Sequence, residues 1–208
     1  MKKDNNFLKS LGISRKELNT ILTDNPSLRG TLVGYLGESR LKAFLAQNDQ
    51  ITILPKPDDH DRSQKYDLPI KYKGETFKIE VKSLQSNSIK APGDNSSIAY
   101  KAIVQCDASD CRSILLPNGK SVTTTCLQYG GFDILAVNMF MFNNSWEFAF
   151  ALNEQLPHAT KGSPKKPIPD DCQQYLMKTL IPITYPVEGI FTTDICSLLD
   201  YLIAKRRG

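Results

Sequence analysis

The chain has 208 residues and carries 26 Lys and Arg against 22 Asp and Glu, a formal net charge of +4. Hydrophobic residues make up 40% and charged residues 23%, a balance that excludes a wholly disordered chain and a collagen-like one. No uncharged apolar run approaches the ~18 residues of a membrane-spanning helix. MKKDNNFLKS at the start is not followed by the apolar segment of a secretory signal. The mild basic surplus permits a nucleic-acid partner without arguing for one. Cys106, Cys111, Cys126, Cys172 and Cys196 are odd in number, widely spaced and without a CxxC pair. That pattern fits a reduced, cytoplasmic protein better than a disulfide scaffold or a zinc site.

Ser14-Arg15-Lys16-Glu17 is a capping box, and Leu18, Ile21 and Leu22 follow as an apolar stripe, so a first helix starts there. Asn25-Pro26-Ser27 breaks it. This divides the chain into an N-terminal helical extension, 1–26, and a main domain, 27–208, that closes with C-terminal helices. A second helix is expected from Ser27 to about Gln47, with Leu28, Leu32, Tyr35, Leu36, Leu41, Phe44 and Leu45 at helical spacing. Gly34 and Gly37 lie inside it, and each costs ~1 kcal/mol relative to alanine. Close approach of the helix to a sheet or a ligand would compensate.

Pro55 to Ser63 is polar and reads as a loop. The period then becomes two. Tyr66, Leu68 and Ile70 alternate with polar residues, and after Lys73-Gly74 so do Phe77, Ile79 and Val81, the pattern of a β-hairpin. Gln85 to Ser97 reads as a loop and Ile98 to Cys106 as a strand. A small hairpin is expected about Pro117-Asn118-Gly119, between Ile114–Leu116 and Val122–Leu127. Phe132 to Phe142 is nearly continuous apolar, as in a strand covered on both faces. Trp146 to Leu152 reads as a further strand, Pro157 to Pro169 as a loop, and Asp171–Thr179 and Thr193–Lys205 as helices. Helices, then mostly antiparallel strands, then helices predict an α/β protein with a central mixed sheet.

A two-residue turn at Lys73-Gly74 makes paired residue numbers in the hairpin sum to 147, so Asp67 lies across from Glu80. Residues opposite each other in an antiparallel pair share a face, with Cβ atoms about 4.5–5.5 Å apart. Lys82, two residues past Glu80, shares it too. Two carboxylates so close repel each other unless a cation lies between them. A divalent cation that prefers hard oxygen is the natural occupant, and Mg²⁺ usually takes one or two protein carboxylates plus water and phosphate oxygens. Asp, Glu, Lys and such a cation are the parts that phosphodiester hydrolysis requires. A solvated strand face with cross-strand ion pairs is the plainer alternative, and it leaves two facing acids unexplained.

Asp67, a spacer of twelve residues and Glu80-Val81-Lys82 on a hairpin resemble the PD-(D/E)xK nuclease superfamily. Tyr66 stands where the family's name has proline. Glu38, in Gly34-Tyr35-Leu36-Gly37-Glu38, matches the acidic residue the family places on the preceding helix. Gln105 matches a glutamine that some branches add after the lysine. The resemblance covers Arg29 to Leu152. It implies a restriction-endonuclease-like fold, a central mixed β-sheet flanked by helices. It also implies a metal-dependent endonuclease acting on double-stranded DNA, of type II restriction type, with Mg²⁺ as cofactor and Mn²⁺ as substitute. Asp67, Glu80 and Glu38 would hold the metal, and Lys82 and Gln105 would complete the catalytic set. DNA would cross the polar face of the hairpin, and a homodimer would suit cutting of both strands. A non-cleaving nucleic-acid-binding or assembly module on the same fold, and a structure-selective repair or recombination nuclease, are the alternatives.

Overall fold

The computed structural model describes residues 7–55, 66–84, 86–91, 100–163 and 166–208. The loop expected over Pro55–Ser63 lies outside them from residue 56 on. Residues 85 and 92–97 of the next expected loop, the first two residues of the strand expected from Ile98, and residues 164–165 of the loop over Pro157–Pro169 lie outside them as well. The chain divides into two compact units, 1–36 and 37–208.

The first unit contains α1 (Phe7–Ser10) and α2 (Arg15–Asp24). The capping box forms as read. The Glu17 N–H donates to Ser14 Oγ at 3.2 Å, and the Ser14 N–H donates to the Glu17 carboxylate at 2.7 Å. Asn25 closes α2. Helix α3 (Pro26–Leu45) begins here and ends in the second unit. Proline suits its first position because the N–H it lacks would have had no partner in the helix.

In the second unit, β1 (Ile51–Ile53), β2 (Leu68–Tyr72) and β3 (Glu75–Ser83) are joined antiparallel. The register is the one predicted: Leu68 faces Ile79 and Tyr72 faces Glu75. Lys73 (φ 47°) and Gly74 (φ 89°) make the turn. Positive φ at both central residues matches the right-handed strand twist. After β4 (Tyr100–Gln105), the antiparallel hairpin of β5 (Asp107–Leu115) and β6 (Ser121–Cys126) falls where expected.

Strand β7 (Ile134–Asn138) is buried at every residue and lies parallel to β3. The apolar run Phe132–Phe142 is not one strand, because Phe140–Asn143 turns into a short helix, α4. Strand β8 (Phe148–Leu152) pairs antiparallel with β7 and completes a mixed sheet in the order β1-β2-β3-β7-β8. Beyond it come the short pair β9 (Gly162–Ser163) and β10 (Lys166–Pro167). Helix α5 spans only Asp170–Gln173, not Asp171–Thr179. Leu176 and Met177 leave the helix to form bridges with Gln128 and His158. Strand β11 (Leu180–Tyr185), which the sequence reading missed, pairs with β4. Helix α6 (Ile195–Arg207) starts two residues later than predicted, where the Asp194 carboxylate accepts the N–H groups of Cys196 (3.0 Å) and Ser197 (3.3 Å).

Alternation in the strands sorts two cores onto the two faces of the sheet. One face carries Leu68, Ile70, Phe77, Ile79, Ile134 and Phe150, and is covered by Leu41 and Leu45 of α3 and Ile195, Leu199, Leu202 and Ile203 of α6. The other carries Leu135, Val137, Ala149 and Ala151, and is covered by Val104 of β4 and Ile181 and Ile183 of β11. The fold is α/β with a central mixed sheet that has helices packed against it, and a two-stranded ribbon covers its second face. Arg206 ties α6 to the sheet, with bonds to Asp133 (2.7 Å) and the Thr76 carbonyl (3.1 Å) and its guanidinium over the Phe77 ring.

Candidate active site

Three of the five residues singled out in the sequence converge through the hairpin. Asp67 stands one residue before β2, at the last rung of the ladder, where its N–H donates to the Ile79 carbonyl at 3.0 Å. Its carboxylate accepts the N–H of Val81 at 2.8 Å, which fixes its direction. Glu80 pairs with Leu135 and Lys82 with Val137 across the parallel ladder, so both point to the face that the β4–β11 ribbon covers. Lys82 Nζ lies 2.7 Å from Glu80 Oε1.

This polar face is not the open surface expected for the passage of DNA. Glu80 is only 6% exposed. Cys106 is fully buried near Lys82, and burial pushes its thiol up to about 12 while Lys82 pulls it back in part. Such a thiol is part of an apolar wall, not a nucleophile.

Burial is the largest influence on Glu80 and pushes its carboxyl up to about 7; Lys82 pulls it down, and Asp67 and Glu38 push it further up. Burial lowers Lys82, but the charge and hydrogen bond of Glu80 and the charge of Asp67 outweigh this and leave it above its ordinary value. The three acids and the one lysine therefore form one electrostatic unit. Two further carboxylates and one ammonium thus act on the buried Glu80 carboxyl, at a place where water screens poorly.

Glu38 joins this group because α3 comes close to the sheet. A Cβ on Gly37 would lie 2.9 Å from Asn138 Nδ2, so any side chain there would force Asn138 to shift. Asn138 is 1% exposed, donates to Ser83 Oγ at 3.2 Å and accepts the Phe140 N–H at 3.0 Å. Sequence reasoning did not single it out. The signal was a polar residue closing a fully apolar strand. Gly34 meets no neighbour within 4 Å among the described residues, so of the two glycines only Gly37 serves a close approach.

Gln105 is exposed on β4, and its amide donates to Asp107 at 2.9 Å. Its neighbour Cys106 is the residue that faces Lys82, and alternation turns Gln105 the other way. Asp133, just before β7, accepts the Lys78 N–H at 2.7 Å and pairs with Arg206. Arg207 pairs with Glu75 at 3.3 Å and Lys205 with Glu154, so the basic tail is engaged within the fold.

Asp67 and Glu80 supply hard oxygen donors. Among the described residues no three His, Cys, Asp or Glu side chains stand close enough to enclose one metal ion. The arrangement therefore suits a cation that takes one or two protein carboxylates and completes its shell with water or phosphate oxygens, as Mg²⁺ does. It does not suit an all-protein cage.

No family model matches the chain, and no curated protein matches it. A bacterial homing endonuclease of known structure is similar at a TM-score of 0.40 and 16% sequence identity, over 70% of this chain and 87% of that one. No helix among the described residues is long and apolar enough to cross a membrane.

Proposed function

We propose that the chain is a metal-dependent endonuclease of the PD-(D/E)xK type that hydrolyses phosphodiester bonds in double-stranded DNA, with a restriction-type role. The observation that carries this reading is a buried Glu80 that lies in the charge fields of Asp67 and Glu38 and 2.7 Å from Lys82 Nζ. Glu80 is buried and paired with Lys82, while Asp67 and Glu38 are half-buried beside it. A buried ion pair contributes little to stability, so its place beside two more acids points to a use other than holding the fold. Asp67 and Glu80 would hold Mg²⁺ or Mn²⁺, and Glu38 would join them through water. When bound, the metal would acidify a water molecule and screen the charge on the phosphate.

The chain's own residues do the rest. Asp67, fixed by the Val81 N–H, presents a carboxylate of set direction. Glu80, held by Lys82, presents the second. Lys82 brings an ammonium to the side of the site where an attacking water and the phosphate oxygens would gather, and a fixed cation there stabilises developing negative charge without reorganisation. The β4–β11 ribbon and Cys106 limit water behind the site and so strengthen these interactions.

A second reading, a nucleic-acid-binding or assembly module that does not cut, draws on the closed Glu80–Lys82 pair at 2.7 Å. The test is incubation of the purified chain with supercoiled and linear DNA, in Mg²⁺ or in chelator. Discrete fragments that need Mg²⁺ are expected. A smear or nicks point to a structure-selective or nonspecific nuclease. DNA retained intact in Mg²⁺ favours the binding module.

A further inference from the structure

Trp146 is the only tryptophan of the chain. It stands half-buried in the connection between β7 and β8, and its ring stacks on that of Phe140, with 4.5 Å between centroids and 28° between planes. The guanidinium carbon of Arg40, on α3, lies 5.7 Å from the centre of the same tryptophan ring. Cation–π attraction is strongest on tryptophan, and it limits where a long arginine side chain wanders. Arg40 is exposed, and among the described residues no carboxylate forms an ion pair with it. The acid next to Trp146 in the chain, Glu147, takes the Asn143 amide at 3.0 Å instead. An arginine held over a ring stack with no acid on it keeps its N–H donors for an anion from outside the fold.

We propose that Arg40, braced by Trp146 and Phe140, grips a DNA backbone phosphate a few nucleotides from the one that is cut, which rests on the nuclease reading above. Its placement carries the argument. The Phe140 N–H donates to Asn138 at 3.0 Å, and Asn138 donates at 3.2 Å to Ser83, the residue after Lys82. Asn138 also meets Gly37, so the ring stack is built on the same contact that brings Glu38 to the site. Glu38 and Arg40 are two residues apart on α3 and so stand on opposite flanks of it. Their charged heads are then separated by about one helix diameter, ~10–12 Å. Phosphates of one strand advance ~3.4 Å per nucleotide along the duplex, so Arg40 meets the backbone about three nucleotides from the scissile phosphate. At that distance it neither ligates the metal nor touches the attacking water, and it acts as a positioning residue that holds the duplex in register. Arginine suits the task, because its planar fork can bond two oxygens of one phosphate.

The test is binding of a labelled duplex to the full chain in Ca²⁺ over a salt series, read by anisotropy of the label and by tryptophan emission, which reports Trp146 alone. In the unaltered chain both signals should move over the same range of DNA concentration. Each phosphate gripped adds ~0.9 to the slope of log affinity against log salt. Arg40→Gln should lower that slope by ~0.9, so that its deficit in affinity shrinks about 3.5-fold between ~50 and ~200 mM salt. Arg40→Lys should restore the slope, because counterion release follows charge, yet cut more slowly than the unaltered chain in Mg²⁺, because the fork is lost. If Arg40 only braces the β7–β8 connection, Arg40→Gln lowers the urea midpoint and leaves the salt slope as it was. That result overturns the phosphate grip and leaves the nuclease reading standing, as does DNA that binds without changing the Trp146 emission. A lowered slope in a chain that never cuts in Mg²⁺ supports the grip and overturns the nuclease. A chain that binds no DNA in Ca²⁺ overturns both.

Discussion

Replacing Gly37 with alanine tests how α3 is placed against the sheet. In a helix interior that change alone is worth ~1 kcal/mol in favour of the variant. At Gly37 the new methyl would lie 2.9 Å from Asn138 Nδ2, 3.4 Å from its Cβ and 3.5 Å from its Cγ. Asn138 cannot simply swing away, since it is buried and held by Ser83 and the Phe140 N–H. Forcing a methyl into a filled space costs ~1–3 kcal/mol, so the net expectation is a loss of ~0–2 kcal/mol once the helix gain is subtracted. Gly34→Ala is the internal control. No described neighbour lies within 4 Å, so it should show the helix gain undiminished. For a chain of this size that is a rise in Tm of ~2–4 °C. Urea denaturation of the two variants beside the unaltered chain makes the comparison. Because α3 carries Glu38, Gly37→Ala should also weaken metal-dependent cleavage, while Gly34→Ala should not. If both alanines stabilise equally, Gly37 is not a contact point and the route by which Glu38 reaches the site is wrong.

Other expectations follow from the same geometry. Asn138→Ala leaves the Phe140 N–H without its acceptor in a buried place, which costs ~1–3 kcal/mol and is measurable as a lower urea midpoint. Lys82→Ala should slow single-turnover cleavage by ~10²–10³, the loss of one electrostatic interaction of the transition state. DNA binding measured in Ca²⁺ should hold, and Lys82→Arg should not fully restore the rate, since a guanidinium is larger and planar. Gln105→Ala, at an exposed side chain bonded to Asp107, should cut within about threefold of the unaltered rate, a change of ~0.6 kcal/mol in the barrier.

The hairpin could be read from the sequence because two local signals agree. Period-two alternation sets which side chains share a face, and Lys73-Gly74 sets the turn. Together they fix the register that puts Asp67 beside Glu80. What covers that face could not be read the same way. The ribbon of β4 and β11 joins segments some eighty residues apart, and β11 contains Pro182, which argues locally against a strand. Its absence from the reading turned a buried face into an expected open one. The helix predicted over Asp171–Thr179 failed for a related reason, since Leu176 and Met177 make bridges to distant segments, and tertiary pairing overrides local propensity. Glu38 was reached by resemblance alone. Its physical cause, the glycine that lets α3 meet Asn138, is visible only when helix and sheet are seen together. Gln105 stands outward on β4, because strand alternation gives Cys106 the inward place.

The central claim is that Asp67 and Glu80 together hold a catalytic divalent cation. Its most direct test is Mn²⁺ titration of the unaltered chain, Asp67→Asn and Glu80→Gln by calorimetry, with cleavage of a labelled duplex followed on the same samples. Both variants keep the shape of the side chain and remove its charge, so both should remain folded. The unaltered chain should bind Mn²⁺ and cut, and each variant should lose binding and cutting together. Mn²⁺ binding and cleavage that survive in both variants would contradict the account.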